Sequence, residues 1–329
     1  MHTLTFPTGL WLPLITPFCD QHLDEPSLRQ LVRHFAAAPI DGLILAATTG
    51  EALTLDEDEV RRMVDLAAEE ITVSARRPAL FLGLCGSDTR KLVRAVRHAE
   101  ALPVDGYLVT CPYYSRPSQD GLLRHFEAIA DAASRPVWIY NIPYRTGVNM
   151  GNDTLLQLAR HPRIGGLKDC CADPMQSFDL LCRRPAGFPV FTGEDAAFFT
   201  ALCQGADGGI LASAHVDPSR FADVAGLVRA GRIEEARRAW IPLAAVTALL
   251  FAEPNPAPVK HWLWRQGLIA SPELRLPMTA VSPSLAGRLD TAIAGWPAQK
   301  KGRRMSHSAN PSCHVFHNAN VEGNDDAQP

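Results

Sequence analysis

The stretch PVWIYNIPYRTGVNMGNDTLLQLARHPRIGGLKDCCADPMQSFDLLCR, residues 136–183, carries the pattern that decides the fold. Two short apolar runs, 136–141 and 164–168, each precede a stretch with helical spacing, 152–161 and 173–183. The runs are nearly continuous rather than alternating, which indicates parallel strands covered by helices. Outward from here the same two textures repeat. Apolar runs occur at 10–15, 42–47, 79–84, 105–110, 188–192 and 208–213, and helical patterns at 26–38, 56–71, 88–102, 118–133, 194–205 and 217–231. Asp56, Ser118, Asn152 and Asp217 are expected to cap helix N-termini. Eight strand–helix units in about 230 residues predict an α/β protein of the (β/α)8 TIM-barrel class. A doubly wound sheet is the competing architecture, weakened because no glycine-rich phosphate loop follows the first strand.

The barrel is expected to occupy residues 1–231. From 232 to 297 the pattern is purely helical (232–251, 257–268, 282–295), broken by EPNPAP (253–258) and SPELRLP (271–277), and reads as a C-terminal helical appendage. Residues 298–329 have few large apolar side chains and read as a disordered tail. Its Cys313, His314 and His317 lack the further partners that a metal site requires.

A hydrophobic content of 47% with 20% charged residues describes an ordinary globular protein, and a net charge of -3 offers nothing to nucleic acid. The apolar opening MHTLTFPTGLWLPLITPF has no basic segment before it and is interrupted by Pro13 and Pro17, so neither a signal peptide nor a membrane span is expected. The eight cysteines show no C-x-x-C pair. Most lie in apolar runs, which reads as reduced core thiols and a cytoplasmic location.

Active sites of such barrels assemble at the C-terminal strand ends. Those positions hold Thr48-Thr49-Gly50-Glu51, Tyr113-Tyr114, Tyr140-Asn141, Lys168, Gly193-Glu194 and Ser213. The chain has 27 arginines but only five lysines, so a lysine at the end of an apolar strand calls for a property that arginine lacks. A desolvated lysine becomes a neutral amine and attacks carbonyls, whereas arginine stays charged. The other reading is a structural ion pair with Asp169, and the segment alone does not decide between them. The surrounding hydroxyls favour imine chemistry, since they can shuttle the protons that expel water. A metal-dependent aldolase would need several His or acidic ligands, and only His215 lies near this face. A glycosidase would need two opposed carboxylates, and only Asp169 and Glu194 are near.

ATTGE (47–51), PYYSRPSQDG (112–121), YNIPYRTG (140–147), GLKD (166–169) and EPNPAPVK (253–260) closely resemble the dihydrodipicolinate synthase/N-acetylneuraminate lyase family of pyruvate-dependent aldolases, over about residues 9–290. The resemblance implies that Lys168 forms a Schiff base with pyruvate and that Tyr140 shuttles protons over the imine. It implies that Thr48 links Tyr140 to Tyr114, the latter crossing from a neighbouring subunit of a homotetramer arranged as a dimer of dimers. Thr49 would hold the pyruvate carboxylate, and Gly193 and Ile210 would line the pyruvate pocket. Arg145 matches the arginine that separates synthases, which condense pyruvate with L-aspartate-4-semialdehyde on the lysine pathway, from sialic acid lyases. The chemistry needs pyruvate and an aldehyde, but no metal and no organic cofactor.

Three departures accompany the match. Ala47 and Pro13 replace smaller residues, and Tyr144 stands where synthases often have a small one. A lyase acting on another 2-keto acid and a non-catalytic barrel are the remaining readings. At the positions where regulated relatives hold lysine, the chain has Glu57, Val60, Ser87 and Lys91 beside a retained Tyr113, and insensitivity to lysine is expected.

Overall fold

The computed structural model describes residues 8–297. Eight parallel strands close into a barrel: β1 (Leu10–Pro13), β2 (Gly42–Leu45), β3 (Ala79–Leu84), β4 (Gly106–Thr110), β5 (Val137–Asn141), β6 (Ile164–Asp169), β7 (Val190–Thr192) and β8 (Gly208–Ile210). Each pairs with its sequence neighbours, and β8 closes on β1 with Ile210 opposite Trp11. Helices α1 (Glu25–Ala36), α2 (Glu57–Val73), α3 (Thr89–Ala99), α4 (Gln119–Ala132), α5 (Asn152–Leu158), α6 (Pro174–Arg183), α7 (Phe198–Cys203) and α8 (Pro218–Arg229) follow the strands in turn. The expected TIM barrel is therefore present. α9 (Ile233–Leu250), α10 (Ala257–Arg265) and α11 (Pro283–Gly295) form the helical continuation. The segment 298–329, read from sequence as a tail, lies outside the described residues.

Local chemistry sets the helix starts. Asp56 accepts from the Glu59 amide at 2.8 Å while the Glu59 carboxylate accepts from the Asp56 amide at 3.2 Å, a reciprocal capping box. Ser118 and Asp217 cap α4 and α8 as expected. Asn152 does not cap α5. Gly151 takes the cap position, and the Asn152 amide instead donates to Gln176 O and Asp179 Oδ2 on α6, at 2.9 and 2.8 Å. The strands β1, β2 and β8 stop two or three residues short of the apolar runs that predicted them. The leftover residues are buried, and 3-10 turns at Thr48–Gly50 and Ser213–His215 follow the ends of β2 and β8.

Side-chain alternation along each strand divides the core in two. Leu10, Leu12, Leu43, Leu45, Val109 and Ile139 face the helices. Trp11, Ile44, Phe81, Leu108, Trp138, Phe191 and Ile210 face inward. Four aromatics plug the barrel, with ring centroids 4.6 Å apart for Trp11–Trp138, 4.7 Å for Phe81–Trp138 and 4.8 Å for Trp138–Phe191. Gly42 makes room for this plug: a Cβ there would stand 2.1 Å from the Trp11 ring. Six cysteines are free thiols, but only Cys111 and Cys170 are buried. Cys85 and Cys171 are half-buried and Cys182 and Cys203 exposed, which corrects the expectation of core thiols. No helix among the described residues is long and apolar enough to cross a membrane.

The plug makes a testable demand. Gly42→Ala should lower stability by about 1–3 kcal/mol through overpacking, and Trp11→Phe in the same chain should recover part of it. Urea denaturation of the three proteins measures this, and an unchanged midpoint for Gly42→Ala would contradict the packing described.

Candidate active site

Lys168 enters the barrel because of its place on β6. Gly166, Lys168 and Cys170 share the inward face of that strand, so Asp169 points the other way. Asp169 accepts instead from Ser177 Oγ on α6 at 2.6 Å and from the Cys171 amide at 3.0 Å, so the Lys168–Asp169 ion pair does not form. Lys168 is 5% exposed, and its register partner on β5 is Tyr140. Its Nζ lies 4.2 Å from the Tyr140 ring centroid. Burial holds the Lys168 amine below its usual pKa, opposed by the nearby Cys170, Asp195 and Glu194. Burial likewise raises the Tyr140 phenol well above its usual value, so it keeps its proton. The nearby Thr48 side chain opposes that rise.

Gly193, just past β7, is another glycine that contact requires. A Cβ would come within 2.4 Å of both Lys168 Cε and Cys170 Sγ, so any side chain here would displace the lysine. Beyond it, Asp195 accepts from the amide and hydroxyl of Ser213, each at 2.6 Å, tying the loop after β7 to the turn after β8. Burial pushes its carboxyl up to about 6, against the lowering effect of those hydrogen bonds. His215, the one histidine near this face, is structural. Its Nδ1 faces Ala212 O at 2.7 Å and must donate, leaving Nε2 to accept from the Ile15 amide at 3.4 Å. Burial lowers its pKa to about 4.

A cavity of about 320 Å³ opens at this end of the barrel. Thr48, Thr110, Tyr140 and Arg145 line it, along with Asn255 from the segment between α9 and α10. Lys168 does not line it; Tyr140, against which the lysine lies, does. Arg145 sits on a single helical turn, Pro143–Thr146, that follows β5 and ends at Gly147 with φ 76. Its guanidinium is 5.8 Å from the exposed Tyr144 ring. The 3-10 turn bearing Thr48 and Thr49 is anchored from beneath. Glu51, left-handed at φ 55, forms a fully buried ion pair with Lys260 on α10 and also accepts from the Arg275 amide at 3.1 Å. Lys260 Nζ donates further to Glu273 O at 2.7 Å. Desolvation brings the Lys260 pKa down to about 8, with Glu51 opposing the shift.

The structure thus brings together Lys168, Tyr140, Thr48 and Gly193, with Arg145 on the cavity wall. Thr49 is buried in the same turn, and Ile210 is buried within the barrel on β8. Tyr114 stands apart: it is 95% exposed, with φ 70, and borders a second cavity of about 750 Å³ with Glu57, Ser87, Lys91 and Tyr113. Val60 does not line that cavity. Sequence reading missed Asn255, Lys260 and Asp195. The first two lay in plain view in EPNPAPVK, where a buried lysine among only five was the available signal.

The profile of the Dihydrodipicolinate synthetase family matches residues 7–294. The chain is 38% identical to 4-hydroxy-tetrahydrodipicolinate synthase 2 of Clostridium acetobutylicum, over 86% of this chain and 98% of that protein. The dihydrodipicolinate synthase structure from Thermotoga maritima superposes with a TM-score of 0.84 at 31% identity, covering 88% of this chain and 98% of the other. That from Cyanidioschyzon merolae, with lysine bound, gives 0.84 at 30% identity over 88% and 99%.

Removing one member of the buried pair strands the other. Lys260→Met should cost about 3–5 kcal/mol, whereas the double variant Lys260→Met/Glu51→Gln should recover much of the loss. Thermal melts of the single and double variants decide this; a double variant no more stable than Lys260→Met would contradict the pairing.

Proposed function

Because the chain belongs to the dihydrodipicolinate synthetase family, we propose that it condenses pyruvate with L-aspartate-4-semialdehyde to 4-hydroxy-tetrahydrodipicolinate, a step of lysine biosynthesis. The observation that carries this reading is the buried, desolvated Lys168 amine beside the Tyr140 phenol and its Thr48 partner. The neutral amine attacks the pyruvate keto carbon, and the Tyr140–Thr48 hydroxyl pair relays protons as water leaves to form the imine. Loss of a methyl proton then gives the enamine that attacks the aldehyde carbon. Thr49 holds the pyruvate carboxylate, while Gly193 leaves space for the lysine and Ile210 contributes an apolar wall. No metal or organic cofactor takes part in this scheme.

Tyr114 completes the hydroxyl relay from a neighbouring subunit of a cytoplasmic homotetramer. Its exposure in the single chain supports that placement. Lys91 beside Glu57 in the second cavity supports insensitivity to lysine, since a cation there repels the ligand's ammonium group.

Arg145 binds the carboxylate of the aldehyde substrate as a two-pronged fork. Its loss should cost about 2–3 kcal/mol of binding, or roughly a hundredfold in kcat/KM for the aldehyde. Arg145→Ala should meanwhile leave imine formation with pyruvate nearly intact. A coupled assay of pyruvate with a panel of aldehydes tests both points. Equal loss for the two substrates, or a sugar-derived aldehyde preferred by the wild type, would overturn the assignment.

A further inference from the structure

We propose that Asn255 is a positioning residue for the keto-acid carboxylate, acting by fixing the direction in which the Thr49 hydroxyl donates. The inference rests on the assignment of Thr49 to that carboxylate. Asn255 Nδ2 donates to Thr49 Oγ1 at 3.0 Å, and the two residues are 8% and 3% exposed. A hydroxyl has one proton and two lone pairs, so by itself it can offer either polarity to a ligand. With one lone pair occupied by the amide donor, its own proton cannot point back at Asn255 and is left for another acceptor. An ionised carboxylate only accepts. The amide therefore narrows the hydroxyl rotor to orientations in which its proton faces away from Asn255, among them the donation that the substrate requires.

A second observation separates this role from packing. Asn255 Oδ1 is buried with no hydrogen-bond partner, in a residue that lines the cavity. An unmet buried amide oxygen costs free energy that an apolar side chain of the same size would avoid. The position is also held firmly relative to its target. Lys260, one helical turn into α10, forms its buried pair with Glu51, which directly follows the Thr48–Gly50 turn. The same helix thus carries both the anchor of the turn and, just ahead of it, the donor to Thr49.

The test follows the pyruvate concentration that gives half-maximal borohydride-trapped adduct, read by mass spectrometry on the full-length enzyme, with kcat at saturating substrates alongside. Asn255→Ala should raise that concentration by about tenfold with kcat little changed. Asn255→Asp should raise it further although it fills the same space, because an ionised carboxylate can only accept and takes the Thr49 proton for itself. A packing role predicts the reverse order of the two variants. In a Thr49→Val background, Asn255→Ala should add less than about twofold, since the group it orients is gone. Should Asn255→Ala fail to fold, Asn255→Leu removes the donor while keeping the same side-chain branching and heavy-atom count, and enters the same cycle. If Thr49→Val leaves pyruvate trapping unchanged, the assignment of Thr49 falls and this inference with it. If Thr49→Val weakens trapping but Asn255→Ala does not, or if the two effects multiply, the inference alone is overturned.

Discussion

The desolvation of one amine is the constraint on which the site depends. Lysine at its ordinary pKa of ~10.4 is almost wholly protonated at neutral pH and is no nucleophile. Burial works against that state at Lys168, where strand alternation turns the side chain inward on β6 above the aromatic plug. Each nearby feature serves this placement. Gly193 keeps clear the volume the lysine side chain fills, and Tyr140 occupies the matching register on β5. Asp169, which would otherwise stabilise the ammonium form, faces away toward α6.

The helices after the barrel belong to this arrangement as much as the strands do. Lys260, itself held by the Glu273 carbonyl, and the Arg275 amide converge on Glu51 and thereby fix the turn that presents Thr48 and Thr49. A buried pair of this kind contributes little net stability against apolar replacements, but it specifies geometry, because neither partner tolerates being left alone. The left-handed Glu51 is held where such a conformation is expected, at a turn beside the cavity. The C-terminal helices therefore do more than cover one side of the barrel.

What the sequence disclosed and what it hid follow from the range of the interactions. Period and punctuation are local, so all eight strands and their helices could be read from continuous apolar runs and capping residues. Strand ends were the exception, since β1, β2 and β8 stop before their last apolar residues, which stay buried in segments that no local pattern distinguishes from strand. Asn152 misled for a related reason: a good capping residue one position late was drawn instead to partners on α6. Lys168 and Tyr140 were visible because each ends a strand. Asn255 was not, because its partner lies 206 residues away and nothing local shows which way the chain returns. Asp195 was hidden in the same way, its role being to receive the backbone and hydroxyl of Ser213 from the next strand's turn.

The central claim is that Lys168 is the amine that reacts. Treating the enzyme with pyruvate and borohydride, then mapping the adduct by peptide mass spectrometry, addresses it directly. The account predicts the mass of reduced pyruvate on Lys168 alone, absent from Lys168→Ala. A label on Lys260, the other buried lysine among the described residues, or on the exposed Lys91 would contradict it.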